Sequence, residues 1–381
     1  MRKVLFVTTI SGFLTQFEKN DVKILRELGC EIHYASDFQN PVYEYDEDEL
    51  QNMRVITHQI SVKKSPAKLR ENANAIRELK KIIDTEKIDL IHCHNPMGGV
   101  TARMAAHQSK MRPYVVYTAH GFHFYKGAPV KNWLLYYTAE RLMANYTDRI
   151  ITINNEDRIR AERFPVRGVT QIHSVGVDEQ RFRPVEELRE RKRKELGIPQ
   201  DAFHIVTAAE LNDNKNQRTV IEAIDRIGCP DIYYSICGKG PNRERLQRLI
   251  EEKGLTERVR LLGYRTDMEE VLQTADCFAF PSKREGLGVA AVEALLCGVP
   301  LIAADNRGTR EYAVNGKNAF VCGADHPEEF AAAIEKLRTD PRMRQQMSEA
   351  CRDSAMEFTL PAVDCTMRKF YENVFKDMGA G

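Results

Sequence analysis

Short apolar runs alternate with longer amphipathic segments along this chain, and the whole alternation occurs twice. In the first half, candidate strands lie at residues 4–8, 31–35, 55–59, 90–93, 114–118 and 149–153. Segments with helical periodicity separate them, for example residues 69–85. Continuous apolar strands joined through helices predict a parallel sheet that is covered on both faces.

A charged segment separates the two series of strands. Residues 188–194 read LRERKRK, which we interpret as a solvated helix face. Candidate strands then resume at 204–208, 233–237, 259–262, 277–280, 300–303 and 319–322. The chain is therefore predicted to be an α/β protein with two tandem Rossmann-like, doubly wound domains that face a cleft. We place an N-terminal domain at 1–183, a C-terminal domain at 184–360, and a last helix at 361–381 that packs back on the N-terminal domain.

The composition argues against several classes of protein. The chain has 56 Lys and Arg residues and 55 Asp and Glu residues, so its formal charge is +1, and a nucleic-acid-binding protein that relies on positive charge is not expected. The first 185 residues carry 27 basic and 22 acidic groups, a net +5, and the remainder carries −4. No apolar stretch approaches the roughly 18 residues that span a bilayer. Nine cysteines without a CxxC pair suit reduced thiols in a cytoplasmic protein.

The segment PSKREGLGVAAVE, residues 281–293, is the most informative motif. A predicted strand runs into a loop with Glu285, Gly286 and Gly288, and a helix follows. Glycines let the backbone approach a ligand, and the free amides of a helix start favour anionic or hydroxyl-rich groups. Glu285 and Glu293 could bind sugar hydroxyls, or they could be a capping acid and an ordinary helical charge.

The sequence around this motif resembles that of the retaining glycosyltransferases of family four, which have the GT-B fold. After Glu293 come Gly298-Val299-Pro300, Gly308, Glu311 and Gly316. Further matches are residues 211–216 (LNDNKN), 237–241 (CGKGP) and 176–178 (GVD) with Phe182. Residues 118–124 (TAHGFHF) and 126–137 resemble a branch that builds bacterial capsular and exopolysaccharide glycans. Together these matches span nearly the whole chain.

The resemblance implies roles for residues of the donor half. Glu293 would bind the ribose of a nucleotide-sugar, and Lys215 would neutralise the diphosphate. Glu285 would hold the donor sugar together with the backbone of Gly286, Leu287 and Gly288.

Four further roles follow from the same resemblance. His120 would contact the donor sugar near the reacting centre, so that His120, Lys215 and Glu285 form the predicted catalytic set. Gly12 would let the loop after the first strand pass close to the diphosphate, while Tyr264 and Arg265 would border the base.

One position departs from the family pattern. Glu210 stands where many members have an arginine that shares the phosphates. Either its carboxylate points away, or another cation compensates. Arg284 and Lys239 are the candidates, and Arg284 is preferred because it lies in the sugar-phosphate loop.

The resemblance implies front-face transfer with retention, without a metal ion or other cofactor. The donor would be a nucleotide-diphosphate sugar, with uridine diphosphate as the family-level expectation. The acidic string at 46–48 is interpreted as an exposed loop. His92 and His94 would share one face of a strand, with Cys93 on the other, and no further metal ligands are evident.

The acceptor is expected at the basic N-terminal half, as a glycan or a polyprenyl-diphosphate-linked sugar. The stretch with Lys126, Lys131, Trp133, Tyr136 and Tyr137 has a composition typical of membrane surfaces. Alternatively, Trp133, Leu134 and Leu135 could pack a helix on the sheet. A GT-B-type nucleotide-sugar epimerase and a non-catalytic nucleotide-sugar-binding protein remain alternatives. A dinucleotide-dependent dehydrogenase does not fit, because G-x-G-x-x-G is missing after the first strand.

Overall fold

A computed structural model describes residues 1–41, 47–173 and 175–379. The chain forms two compact units. The first comprises Met1–Val175 and Val363–Gly381, and the second comprises Gly176–Ala362. The boundary expected after residue 183 lies inside the second unit, where Val177 pairs with Thr359.

The first unit contains a seven-stranded parallel sheet. Its strands are β1 Lys3–Val7, β2 Glu31–Ser36, β3 Ile56–Gln59, β4 Leu90–His94, β5 Tyr114–Ala119, β6 Arg149–Thr152 and β7 Gly168–Gln171. Their order is β3-β2-β1-β4-β5-β6-β7, and Val4 of β1 aligns with Ile32 of β2 and Leu90 of β4. The strand order reverses between β1 and β4, so the loops after these strands diverge and leave a crevice where ligands bind in such sheets.

Helices cover both faces of this sheet. They are α1 Phe13–Phe17, α2 Lys19–Glu27, α3 Glu47–Asn52, α4 Leu69–Glu86, α5 Pro96–Gln108, α6 Val130–Asn132, α7 Thr138–Met143 and α8 Asn155–Ala161, with a π-helical turn at Trp133–Tyr137. The loop expected at the acidic string is wrong for Glu47 and Asp48, which begin α3, where acidic side chains favour the helix start. Asp46 lies outside the described residues.

The second unit contains a six-stranded parallel sheet. Its strands are β8 Phe203–Ala208, β9 Ile232–Cys237, β10 Val259–Gly263, β11 Cys277–Phe280, β12 Leu301–Ala304 and β13 Ala319–Cys322, in the order β10-β9-β8-β11-β12-β13. Its helices are α9 Glu186–Leu196, α10 Gln217–Ile227, α11 Arg243–Glu252, α12 Met268–Gln273, α13 Val289–Leu296, α14 Pro327–Thr339 and α15 Pro341–Ala355. The order reverses between β8 and β11, so this unit has its own crevice. Parallel sheets with helices between the strands confirm the predicted fold class.

The charged segment on α9 is only partly the solvated face expected from the sequence, because Glu190, Arg191 and Lys194 are exposed but two other residues are not. Lys192 and Arg193 are buried. The Arg193 guanidinium donates to Asp276 Oδ2 at 2.7 Å and to the carbonyl oxygen of Ala202 at 2.9 Å. A buried charge is tolerated here because its donors have partners.

The last helix, α16 Leu360–Gly379, completes the first unit. Its apolar residues Val363, Phe370 and Val374 are buried in one cluster with Val4 and Phe6 of β1. Among the helices of residues 1–41, 47–173 and 175–379, none is long and apolar enough to cross a bilayer.

Candidate active site

The carboxyl ends of β4 and β5 place two histidines together in the first unit. His94 ends β4 and His120 follows β5, and 3.1 Å separates His94 Nδ1 from His120 Nε2. Burial lowers the pKa of His120 to about 4 and the pKa of His94 well below its usual value. Both rings are therefore neutral at pH 7 and can exchange hydrogen bonds with an uncharged ligand.

Two carboxyl groups lie beside these histidines. Glu18 Oε1 is 3.5 Å from His94 Nδ1. Burial, together with the neighbouring Asp21, raises the pKa of Glu18 well above its usual value, and burial raises the pKa of Asp21 to about 7. A cavity of about 30 Å³ borders Glu18, Asp21 and His120, which is enough room for an ordered water.

A second buried chain of hydrogen bonds runs from α16 to β5. Tyr371 donates to Asp21 Oδ2 at 2.7 Å, and its hydroxyl lies 2.8 Å from His92 Nδ1. The other ring nitrogen of His92 lies 2.7 Å from Thr118 Oγ1. These bonds use both nitrogens of His92, so this ring serves the packing of the unit.

The structure assembles a different metal-ligand set from the pair considered in the sequence. His92 and His94 do share a face, with 4.3 Å between their ring centroids. The atoms that could coordinate one ion, all within 4.8 Å of one another, belong to Glu18, His94 and His120. Neutral imidazoles with one carboxylate suit Zn²⁺. Sequence spacing gave no signal for Glu18, because this residue lies between α1 and α2, far from both histidines along the chain.

Gly12 follows β1 and is buried just before α1. Its φ is −78°, which any residue adopts, so backbone strain does not require glycine here. Close approach of a ligand remains the predicted reason for glycine at this position.

In the second unit, the loops after β8 and β11 meet at one ion pair. Lys215 Nζ lies 2.6 Å from Glu285 Oε1. The two loops are also joined through their backbones, because Lys283 N donates to Asn214 O at 2.8 Å and Asn214 Nδ2 donates to Arg284 O at 2.9 Å. An ammonium group has three donors, so Lys215 can hold Glu285 and still reach a phosphate.

The loop that leads into α13 needs its glycine. Gly288 has φ +95°, and a Cβ there would lie 2.6 Å from Cε1 of Phe280. The carbonyl oxygen of Leu287 accepts a hydrogen bond from Tyr312 at 3.0 Å, while Gly286 is half-buried. Contacts with Phe280 and Tyr312 therefore fix the backbone between Glu285 and α13. The free amides at the start of α13 follow directly after this segment.

Glu293 is the fifth residue of α13, about one turn into the helix, and it follows Glu285 by eight residues. Burial raises its pKa to about 7; nearby Arg181 partly opposes this effect. Near neutrality the carboxyl group can both donate and accept hydrogen bonds, which suits a pair of hydroxyl groups.

Tyr264 and Arg265 follow β10. Tyr264 is 69% exposed, and Lys239 Nζ lies 6.0 Å from its ring centroid. Arg265 is instead bound to Asp267, with Nε 2.8 Å from Oδ1 and Nη2 2.5 Å from Oδ2. The exposed ring is the better candidate for contact with a flat base.

Glu210 is exposed and turns to its own loop, where Asn212 Nδ2 donates to its Oε2 at 2.9 Å. Arg284, the predicted compensating cation, is also exposed. Arg307, which no sequence motif indicated, also belongs to this loop region: it is 7% exposed, and its Nε donates to the carbonyl oxygen of Glu285 at 3.3 Å. Arg307 follows β12, the strand beside β11. A basic residue just after a strand next to the motif strand is the one sequence signal that could have indicated Arg307.

Comparison with known proteins identifies the family. A family model described as "Glycosyl transferase 4-like" matches residues 3–154, and one described as "Glycosyl transferases group 1" matches residues 189–354. A Bacillus subtilis (strain 168) protein named putative glycosyltransferase EpsD is 38% identical over 364 residues, which cover 94% of this chain and 93% of that protein. The chain belongs to the GT4-type glycosyltransferases. As a member of this family, the protein is an enzyme, a glycosyltransferase of the hexosyltransferase type.

Other similarities agree with this assignment. An Escherichia coli protein named UDP-Gal:alpha-D-GlcNAc-diphosphoundecaprenol alpha-1,3-galactosyltransferase is 29% identical over 296 residues. The aligned region covers 74% of this glycosyltransferase and 76% of the E. coli protein. The crystal structure of Anabaena Alr3699/HepE in complex with UDP superposes with a TM-score of 0.80, covering 98% of this chain and all of that one at 19% identity. This last likeness confirms the GT-B fold.

Proposed function

We propose that this glycosyltransferase moves a hexosyl group from a UDP-sugar to a sugar on a polyprenyl-diphosphate or glycan acceptor in bacterial surface polysaccharide synthesis. The Lys215–Glu285 pair at the start of α13 carries the proposal. It places a cation for the diphosphate beside a carboxylate for the sugar hydroxyls. The HepE crystal structures are complexes with UDP and with UDP-glucose, and the name of the E. coli relative includes a diphosphoundecaprenol-linked acceptor.

The proposed transfer retains the configuration at the donor carbon. The bond between C1 of the sugar and the diphosphate oxygen breaks while the acceptor oxygen bonds to the same face of C1. The departing phosphate oxygen takes the proton of the acceptor hydroxyl, so no protein base is needed. Lys215 stabilises the negative charge that grows on the diphosphate, and neutral His120 donates a hydrogen bond to the donor sugar.

No metal ion is required by this proposal. Lys215 supplies the positive charge that a divalent cation would otherwise provide, and the buried Arg307 lies at the Glu285 backbone. Tyr264 would contact the base and Glu293 the ribose, while Gly12 lets the loop after β1 approach the diphosphate. The backbone amides of Gly286, Leu287 and Gly288 would bind the sugar.

Peripheral membrane contact through the first unit is part of the proposal. Val130, Leu134, Leu135 and Leu142 form what we name the aliphatic patch, with exposed fractions of 74, 71, 60 and 57%. Lys126 and Lys131 are exposed nearby in the chain. Trp133 does not join the patch, because it packs 5.7 Å from the Phe124 ring. Trp133 therefore packs its helical segment on the core, as the alternative in the sequence analysis had it. Leu134 and Leu135 remain exposed and are the residues that we propose to contact the membrane.

The function is tested with UDP-glucose, UDP-galactose or UDP-N-acetylglucosamine and an alkyl-diphosphate-linked N-acetylglucosamine. A disaccharide whose new linkage has the anomeric configuration of the donor, together with UDP release, is the expected result. A sugar isomer formed without acceptor would identify an epimerase. UDP-sugar binding without UDP release for any acceptor would identify a binding protein.

A further inference from the structure

A second cavity of the first unit opens beside His120. Its volume is about 190 Å³, below the roughly 300 Å³ of sites for drug-sized ligands, and it suits a single sugar ring. The residues that line it are Asn95, Pro96, Tyr117, His120, Gly121, Phe122, His123, Phe124, Tyr136 and Glu140. We name it the Tyr136 pocket.

Aromatic rings form one wall of the Tyr136 pocket. The rings of His123 and Tyr136 stack with 4.6 Å between their centroids and 29° between their planes. Phe122 and Phe124 form a second stacked pair, also at 4.6 Å, but both are buried, so the accessible ring face belongs to the half-buried His123–Tyr136 pair. Flat aromatic faces of this kind bind the apolar face of a ring, while the hydroxyl groups at its edge stay free to form hydrogen bonds.

The floor of the pocket is polar but carries no net charge. Arg103 Nη1 and Nη2 each lie 3.0 Å from Glu140 Oε2, and Tyr117 donates to Oε1 at 3.1 Å. The Arg103 side chain is fully buried. A carboxylate can accept more hydrogen bonds than these, so Glu140 can bind a hydroxyl group. Because Arg103 balances its charge, the pocket favours a neutral polyhydroxylated ring over a phosphate.

Asn95 adds a strained residue to the rim. Its φ is 63° and its ψ is 152°, a backbone conformation that is nearly restricted to glycine. Its side-chain oxygen lies 3.2 Å from Thr9 N and 3.3 Å from Thr9 Oγ1. The oxygen is thus anchored, which leaves the amide nitrogen as a donor in the pocket lining. Strain of this kind persists where surrounding structure fixes a functional group.

The π-helical turn connects the pocket with the aliphatic patch. Within Trp133–Tyr137, Tyr136 packs toward the core and lines the pocket, whereas Leu134 and Leu135 are exposed. π-Helical turns are rare and frequent at functional sites. A molecule with a sugar in the pocket would hold its lipid beside these leucines.

We propose that the Tyr136 pocket binds the acceptor sugar ring of a lipid-linked acceptor, stacked on the His123–Tyr136 wall, with one hydroxyl directed toward His120. This inference rests on the proposed transferase function. In this proposal Tyr136 and Asn95 determine acceptor specificity, and neither residue contributes to donor binding.

The single tryptophan, Trp133, provides a binding signal that does not depend on catalysis. We expect decyl diphosphate carrying glucose or N-acetylglucosamine to change its emission in a saturable way. Tyr136→Ala should weaken this binding about tenfold, whereas Tyr136→Phe, which keeps the ring, should stay within about twofold. Sugar-free decyl diphosphate should bind the wild type and Tyr136→Ala equally.

Asn95→Gly is a second variant that keeps the fold intact, because glycine adopts the Asn95 backbone angles without strain. It should also weaken binding of the sugar-bearing probes about tenfold. Three results would each overturn the pocket: unchanged binding of the sugar-bearing probes in Tyr136→Ala or in Asn95→Gly, equal loss of the sugar-free probe in Tyr136→Ala, or no saturable change with either sugar in the wild type.

A failed pocket and a failed function give different results. If the enzyme transfers sugar from a UDP-sugar but Tyr136→Ala leaves acceptor KM unchanged, the pocket is wrong and the function stands. If the sugar-bearing probes bind as expected but no UDP-sugar gives a disaccharide, the pocket stands and the transferase proposal is wrong.

Discussion

Lys215 Nζ and Glu285 Oε1 lie 2.6 Å apart, although the two residues belong to loops after different strands. Their side chains are only 22 and 11% exposed. A lysine held in this way is positioned before the donor arrives, so little reorganisation is needed when the diphosphate leaves. The pair also fixes the carboxylate that is proposed to bind the sugar.

Lys215→Ala is expected to lower kcat about 100-fold or more, with a smaller effect on donor KM, because charge on the diphosphate grows in the transition state. Lys215→Arg should recover part of the rate. Steady-state UDP release measures both constants. Lys283→Ala, which removes an exposed lysine from the loop after β11, is the matched control. A near-normal kcat for Lys215→Ala would contradict this role.

Glu293→Gln is expected to change how stability depends on pH. The folded protein keeps a proton on Glu293 up to about pH 7, whereas the unfolded chain releases it near pH 4.5. This group therefore contributes stability below pH 4.5 that is lost as pH rises toward 7, roughly 3 kcal/mol in all. In urea unfolding from pH 4.5 to 8, the wild type should lose stability relative to Glu293→Gln. Parallel curves would be inconsistent with a buried, protonated carboxyl.

Gly288→Ala is expected to destabilise the second unit by about 3 kcal/mol, since a positive φ and overpacking both oppose the new methyl group. The methyl carbon would lie 2.6 Å from Phe280. Gly254→Ala is the matched control, because Gly254 also has a positive φ but no atom within 4 Å of the added carbon. Thermal unfolding should show the larger loss at Gly288, and calorimetry should show weaker UDP binding. Equal losses would rule out the steric explanation.

Replacing both Leu134 and Leu135 with serine is expected to reduce sedimentation with anionic liposomes about tenfold, because two aliphatic side chains no longer enter the lipid. Lys126→Glu with Lys131→Glu should reduce it further at low salt. Leu69→Ser, at a leucine that is 76% exposed elsewhere in the first unit, should have no effect. If all variants sediment as the wild type does, the aliphatic patch is not a membrane contact.

Removing divalent cations is expected to leave transfer unchanged. The enzyme is dialysed against EDTA and assayed for UDP release with and without added Mg²⁺. The Glu18, His94 and His120 atoms could hold Zn²⁺, so metal analysis of the purified protein accompanies the assay. Activity that disappears with EDTA and returns with a metal would refute the metal-independent mechanism.

Most strands could be predicted because buried parallel strands are continuous apolar runs. Cys277–Phe280 and Ala319–Cys322 agree with the structure at both ends. Gly168–Gln171 was missed, since this edge strand has four half-buried residues and no apolar run. The last helix, expected at 361–381, spans Leu360–Gly379, and a 3-10 turn at Met356–Phe358 separates it from α15.

The candidate site was only partly predictable. The motif at 281–293 indicated Glu285 and Gly288, and the resemblance to family four indicated Lys215. Neither gave any indication that Asp21, Tyr371 and His92 would meet, because the three lie on α2, α16 and β4. Such contacts depend on how distant elements pack, and periodicity along the chain does not encode them.

The position of Tyr371 in the first unit has a consequence for synthesis on the ribosome. Residues 1–175 leave the ribosome long before Val363–Gly381, yet both segments belong to the same compact unit. The cluster around Val4 and Phe6 lacks its closing helix until α16 has been synthesised. During that interval the nascent first unit exposes apolar surface, so chaperone demand should be high, and a stop codon before Val363 should disable the half of the enzyme encoded first.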